Sequence, residues 1–253
     1  VILEQVLRAT AGRVAGLPEP GTSQVSERRS RRSLTDAIKK KPGRNAIIAE
    51  IKFASPSRGT IREGADPVRF SREFASAGCA ALSVLTEPVY FHGHPAYLSL
   101  IRPAVEVPLL RKDFIIDERQ LCESRELGAD AVLLIAGVLG EELGHMVDLA
   151  ISYGLEPLVE VHTGEEIKAA LETSTRLVGI NNRDLRTFRT DLSTTLRLAP
   201  LVRDAGLGVV SESGFMWPCD IRTIRPLADG FLIGSSIMAA KNPVQRLEGF
   251  VFA

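Results

Sequence analysis

Eight short apolar runs, each ending in a polar residue or glycine, constrain this chain more than any other feature. They read AIIAEIK (46–52), AALSVLT (80–86), PLLRKD (108–113), AVLLIA (131–136), EPLVEV (156–161), LVGINN (177–182), GVVSES (208–213) and GFLIG (230–234). Runs this short, bounded by turn residues and rich in β-branched side chains, fit strands buried on both faces. Between them lie segments such as DPVRFSREFASAG, DERQLCESRELGA and GEEIKAALETS. These carry helix-start residues and apolar side chains at helical spacing. Eight strand-then-helix units point to an α/β protein, a (β/α)8 TIM barrel rather than an open doubly wound sheet. No run is followed by G-x-G-x-x-G opening a helix, which argues against a dinucleotide fold. The 253 residues suit one such barrel. The expected organisation is a single domain, 1–253, with an N-terminal helical extension over 1–45 and the barrel over 46–253.

The extension has its own pattern. VILEQVLRATAGRVAG holds Glu4, Arg8 and Arg13 within an apolar repeat, so it reads as an amphipathic helix rather than a signal peptide. A loop marked by Pro18, Pro20 and Gly21 follows, then SERRSRRSLTDAIKKKPG. Its arginines and lysines raise the question of a nucleic-acid arm. The whole chain balances 31 Lys+Arg against 31 Asp+Glu, which gives no electrostatic reason to bind nucleic acid or an anionic membrane. The preferred reading starts a helix at Ser33 or Thr35, turns Leu34 and Ile38 inward, and leaves the basic residues on a solvated or phosphate-facing edge. No apolar run is long enough to span a bilayer. Cys79, Cys122 and Cys219 are far apart and lack C-x-x-C spacing, so they suggest neither a disulfide framework nor a zinc site. Free thiols in a reducing cytoplasm are expected.

In a barrel of this kind chemistry sits at the carboxyl ends of the strands. Those ends read Glu50 and Lys52; Thr86 and Glu87; Lys112 and Asp113; Glu160; Asn181 and Asn182; Glu212 and Ser213; Gly234 and Ser235. Strand residues alternate sides, so Glu50 and Lys52, two apart, face the axis together. Two lysines and three glutamates in one ring are costly to bury, and a salt-bridged plug is the plain structural alternative to catalysis. Opposed Lys and Glu groups in a partly dry pocket supply a general acid and a general base without metal. His92 and His94, as H-G-H, are a weak metal signal and read as solvated loop residues. Gly214 and the Gly234-Ser235-Ser236 turn fall in the loops after strands seven and eight, the usual phosphate site of such barrels, with ordinary serine capping as the alternative. The loop Ser55-Pro56-Ser57-Arg58-Gly59 adds hydroxyls and a cation. Phe91 and Phe114 fit either stacking on an aromatic substrate or anchoring of loops.

IAEIKFASPSRG (48–59), SVLTEPVYFHG (83–93), LLRKDFIID (109–117), GADAVLLIA (128–136), EPLVEVH (156–162), GINNRDLRTF (179–188), VVSESG (209–214) and GFLIGSSIM (230–238) together resemble indole-3-glycerol-phosphate synthase. The resemblance covers every strand in order and extends to the amino-terminal helical segment. It implies a phosphorylated small-molecule substrate, 1-(2-carboxyphenylamino)-1-deoxyribulose 5-phosphate, which closes to an indole with loss of carbon dioxide and water and with no cofactor and no metal. By the same resemblance Lys112 is the general acid, and Lys52 is a second lysine that faces the substrate carboxylate and serves the dehydration. Glu160 assists as base or stabilises the cationic intermediate, while Glu50, Asn181 and Glu212 orient the lysines and the substrate. Arg183 stands near the anthranilate carboxylate. Ser55, Ser213, Gly214, Gly234 and Ser235 hold the phosphate, and Phe91, Phe114, Leu133 and Leu185 wall the anthranilate pocket. His94 followed by Pro95 departs from the family and puts the shape of the loop after the second strand in question. A monomer is the default expectation.

Two rival readings lack a feature each. A phosphoribosylanthranilate isomerase needs a strand-end cysteine, an orotidine-phosphate decarboxylase needs D-x-K-x-x-D, and neither is present. A Schiff-base aldolase using Lys112 and a catalytically silent binding barrel are separated from the synthase by borohydride trapping and by turnover.

Overall fold

A computed structural model of the chain describes residues 2–20, 32–39, 41–56, 59–184 and 187–253. Eight parallel strands close into a barrel: β1 Ala46–Ile51, β2 Ala81–Leu85, β3 Leu109–Lys112, β4 Ala131–Ile135, β5 Glu156–Val161, β6 Leu177–Asn181, β7 Gly208–Glu212 and β8 Gly230–Ile233. Neighbours in sequence are neighbours in the sheet, and β1 closes the ring by pairing with both β2 and β8: Ala49 lies opposite Leu82 on one side and Ile233 on the other. Each strand falls within one of the eight apolar runs. The runs continue without polar alternation because both faces are covered. One face packs on the helices, through side chains such as Ile47, Ile51, Leu109, Val159 and Phe231. The other fills the interior with Ile48, Leu110, Leu133, Leu158, Leu177, Val210 and Leu232.

The helices start where their capping residues place them. Asp66, Asp117 and Thr163 accept the N–H groups of Val68, Arg119 and Glu166 and open the helices Pro67–Ser76, Glu118–Glu126 and Gly164–Leu171. A two-stranded hairpin, Ala54–Ser55 with Gly59–Thr60, forms in the loop after β1. It is too short to leave a periodic trace in the sequence.

The amino-terminal extension touches both ends of the barrel. The helix Leu34–Ala37 begins at Ser33, whose side chain accepts the Asp36 N–H. Its Leu34 and the following Ile38 are almost wholly buried and join the interior cluster, closing the strand-start end. Thr35 donates its N–H and hydroxyl to Glu156 Oε2, at 2.9 and 3.0 Å, where β5 begins. That docking decides between the two readings of the basic edge: at Arg32 and Lys39 it lies at the end away from the carboxyl termini of the strands, so it does not face the phosphate side there. Arg32 pairs with Glu106 and Lys39 with Asp36. Residues 26–31 and Lys40 lie outside the described residues.

The first helix, Ile2–Val14, reaches the opposite rim. Arg13 donates to Asp113 through both terminal nitrogens, at 3.1 and 2.8 Å. Asp113 also accepts from Thr86 Oγ1 at 2.6 Å and from Arg111 at 3.1 Å. Arg111 points outward from β3 yet is fully buried, donating to the Gln120 carbonyl and Ser124 hydroxyl and pairing with Glu123 at 2.7 Å. A buried guanidinium is tolerable only when paired in this way.

Candidate active site

A cavity of about 570 Å³ opens at the carboxyl ends of the strands. Alternation carries the charges into it. Two residues above Ile48, Leu110, Leu158, Gly179 and Val210, the same strand faces present Glu50, Lys112, Glu160, Asn181 and Glu212, with Lys52 just past β1. Lys112 Nζ lies 3.3 Å from Glu160 Oε2 and 4.0 Å from Glu212 Oε2. Lys52 Nζ lies 2.5 Å from Glu50 Oε1. Asn181 donates from Nδ2 to Glu160 Oε1 at 3.0 Å and accepts the Arg183 N–H at 3.0 Å. The ring expected from the strand ends is therefore assembled as two lysine–glutamate pairs plus a third glutamate.

Electrostatics separates the two glutamates around Lys112. Burial disfavours the Lys112 ammonium, but the carboxylates of Glu160, Glu212 and Glu50 outweigh it and hold its pKa above the ordinary lysine value. Burial likewise works against ionised Glu160, yet Lys112, His162 and the Asn181 hydrogen bond keep its pKa below the usual carboxylate range. Glu212 goes the other way: burial and then the Glu160 charge push it well above that range, and Lys112 only partly offsets them. The two carboxyl groups are thus driven apart: Glu160 favours its charged form beside Lys112, and Glu212 holds its proton more strongly than an ordinary glutamate.

Two glycines make room for these acids. A Cβ on Gly179 would stand 2.1 Å from Glu212 Oε1, and one on Gly234 would stand 2.6 Å from Glu50 Oε1. Any larger residue at either position displaces a carboxylate.

One side of the cavity is made by the loops after β7 and β8. Ser213 adopts φ 65° and Gly214 φ 95°. A left-handed serine is uncommon and is held here by its surroundings: Asn182 Nδ2 donates to the carbonyls of Glu212 and Ser213, at 3.0 and 3.1 Å. After β8 the short helix Ser235–Met238 is opened by Gly234, so serine capping does not account for Ser235. The neighbouring Ser236 hydroxyl is buried with no hydrogen-bond partner among the described residues. Across the cavity Phe91 and Phe114 sit with ring centroids 6.3 Å apart, beside Leu133.

Of the candidate residues, Ser55, Phe91, Phe114, Leu133, Arg183, Ser213, Gly214, Gly234 and Ser235 all line this one cavity with the charged ring. Leu185 lies outside the described residues, as do Ser57 and Arg58. Other strand-end groups serve the frame. Asp113 holds Arg13 and Arg111, and Glu87 accepts the N–H groups of Val89, Tyr90 and Phe91 at 3.0, 2.7 and 3.0 Å, which shapes the loop that presents Phe91. His94 accepts the Ala96 N–H at 3.1 Å, so the departure at this position anchors the start of the next helix. Sequence reasoning missed Phe188, Thr190, Leu192, Phe215 and Met216, loop residues that also line the cavity. It missed His162 too, whose Nε2 lies 3.6 Å from Glu160 Oε1.

The family model for indole-3-glycerol phosphate synthase matches residues 3–250. The chain belongs to the indole-3-glycerol phosphate synthase family. Proteins of that name are similar throughout. The one from Carboxydothermus hydrogenoformans is 48% identical, over 81% of this chain and 79% of its own length. The one from Aromatoleum aromaticum is 43% identical over 97% of both, and the one from Methanopyrus kandleri is 43% identical over 82% of this chain and 83% of its own. Among solved structures, a 3-hexulose-6-phosphate synthase superposes with a TM-score of 0.62 at 12% identity, covering 81% of this chain and 97% of that one. At that identity it shares the barrel alone with this indole-3-glycerol phosphate synthase family member.

Proposed function

We propose that this chain converts 1-(2-carboxyphenylamino)-1-deoxyribulose 5-phosphate to indole-3-glycerol phosphate, carbon dioxide and water by Lys/Glu acid–base catalysis. The observation that carries the reading is the Lys112 ammonium, set between Glu160 and Glu212 at the cavity floor, with an aromatic wall on one side and the Ser213–Gly214 and Gly234–Ser235 loops on the other.

The substrate lies with its phosphate on those loops, near Ser55, and its anthranilate ring against Phe91, Phe114 and Leu133. Arg183 and Lys52 face the ring carboxylate. The ring carbon that bears the carboxylate attacks the ribulose C2 carbonyl. A carbon–carbon bond forms, the carbonyl π pair moves to oxygen, and Lys112 protonates that oxygen. The bond to the carboxylate then breaks, its electrons restore the aromatic ring, and carbon dioxide leaves. In the last step Lys52 protonates the departing hydroxyl, which leaves as water, and Glu160 takes a proton from C1. Two protons enter and one leaves, which balances the loss of an anionic carboxylate as neutral carbon dioxide. Glu50 holds Lys52 in place, Asn181 orients Glu160, and Glu212, whose burial and neighbour Glu160 favour its neutral form, flanks Lys112 on the other side.

Product formation followed by indole fluorescence tests the reading. Wild type turns over the substrate, and Lys112→Ala loses ~10²-fold or more in kcat, the scale of a lost general acid. A well-folded wild type without turnover removes the assignment; turnover indifferent to Lys112→Ala keeps the enzyme and discards this acid.

A further inference from the structure

His162 has a place in the site that the reaction scheme above leaves unused. It follows β5 two residues after Glu160 and so leans to the same side of the strand. Its two ring nitrogens face two different carboxylates: Nε2 is 3.6 Å from Glu160 Oε1, and Nδ1 is 3.5 Å from Glu166 Oε2. Glu166 is fixed in turn. It lies in the first turn of the helix Gly164–Leu171, and its Oε2 accepts the His162 backbone N–H at 2.6 Å. Gly137 packs so close that a Cβ there would stand 2.7 Å from Glu166 Oε1. His162 Nε2 is buried and has no hydrogen-bond partner among the described residues, so Glu160 is the group that answers it. Glu160 thus lies in a line of four side chains, Glu166, His162, Glu160 and Lys112, with its Oε1 turned to the imidazole and Asn181 and its Oε2 to the lysine.

A neutral imidazole carries one N–H and must turn a lone pair toward one of these carboxylates; an imidazolium turns an N–H toward each. We propose that His162 is a positioning residue, an imidazolium strung between Glu160 and Glu166 that pins Glu160 opposite Lys112, and that loss of its proton marks the alkaline limit of turnover. The inference rests on the proposed role of Lys112 and Glu160 as the acid–base pair. The charged groups that face His162 are Glu160 on its own strand, Glu166 on the following helix and Lys112 from β3, two carboxylates against one ammonium. Burial opposes the imidazolium, but the two carboxylates prevail and raise its pKa above the ordinary histidine value. Because the folded form favours the proton, the arrangement is complete at low pH and is lost as pH rises through the folded pKa.

The chain has 4 histidines, so a protein labelled with ¹⁵N-histidine gives a sparse long-range ¹H–¹⁵N spectrum in which His162→Gln identifies the residue. Expected at neutral pH is a His162 ring protonated at both nitrogens, with a titration midpoint that moves down in Glu166→Gln. A single neutral tautomer at neutral pH, or a midpoint unmoved by Glu166→Gln, overturns the proposal. This readout needs no turnover, so it stands apart from the success or failure of the synthase assignment. In kinetics His162→Gln loses ~10-fold in kcat with a smaller change in KM, and the alkaline limb of the wild-type profile moves or vanishes. A uniform drop with an unchanged profile shape shows a merely structural histidine and also overturns it. Should His162→Gln fail to fold, Glu166→Gln carries both measurements.

Discussion

At the strand-start end the barrel is closed by Leu34 and Ile38, both almost wholly buried, whereas at the strand-end rim it opens over five charged side chains. The same strands build both. Ile48 is followed two residues on by Glu50, Leu110 by Lys112, Leu158 by Glu160 and Val210 by Glu212. One repeat of the strand pleat, about 7 Å, separates apolar core from chemistry. The lower layers bury methyl groups and supply stability. The upper layer buries charge, which is tolerable because each ammonium meets a carboxylate, while burial and Glu160 favour the neutral form of the surplus carboxyl, Glu212. Stability and activity are thus stacked along one axis, and substitutions should separate them.

The largest separation is expected at the top. Lys112→Ala should cost ~10²-fold or more in kcat while the cooperative unfolding transition persists, because Glu160 can take up a proton once its counter-ion is gone. Fluorescence kinetics beside chemical denaturation checks both halves. The converse belongs to the floor. Leu34→Ala empties a plug position and should cost about 2–5 kcal/mol of stability, with kcat/KM of the remaining folded protein unchanged. An equal loss of activity per folded molecule would show that the floor and the rim are mechanically coupled and would undo the separation.

How much of this was legible in the sequence follows from the same geometry. Strand alternation is local, so the eight runs and the inward turn of Glu50, Lys112, Glu160 and Glu212 could be read from periodicity and position alone. Leu34 and Ile38 were legible as an inward pair on a short helix. Arg111 was not: a charge next to Lys112 turns outward into a buried ion-pair set, and only the facing helix, with Gln120, Glu123 and Ser124, reveals why. Nor was the division of labour between Glu87 and Asp113, which hold loop and extension, and the three ring glutamates, since all five end strands. His162 was hidden for a related reason, because its meaning depends on Glu166, one helical turn into the next element. Phe188, Thr190 and Met216 come from loops, which carry no period to read.

A smaller effect distinguishes the two glutamates that flank Lys112. Glutamine copies the protonated form of a carboxyl group. It therefore resembles the form that burial favours at Glu212 and removes the charge of Glu160. Glu160→Gln is expected to lose roughly ten times more kcat than Glu212→Gln, within the usual range of a single acid–base group. Equal losses would mean that Glu212 is ionised during turnover, against the direction set by its burial and by Glu160.

The smallest effect is the most diagnostic. Gly179 lies in β6 beneath Glu212, and an alanine methyl would meet Glu212 Oε1 at 2.1 Å and Leu158 Cδ1 at 3.4 Å. The leucine contact is ordinary packing; the carboxyl is the flexible end of a side chain, so it moves and the backbone does not. Glycine inside a strand is otherwise unfavourable by about 0.5–1 kcal/mol relative to alanine. Gly179→Ala should therefore leave stability level or slightly higher while kcat falls by roughly three- to tenfold, a modest share of a single-group effect. If displacement of Glu212 is the cause, the loss disappears in a Glu212→Ala background, where the methyl has nothing to displace. A loss that persists there would place the role of Gly179 in the barrel wall, and the upper layer would then be less separable from the core than its geometry indicates.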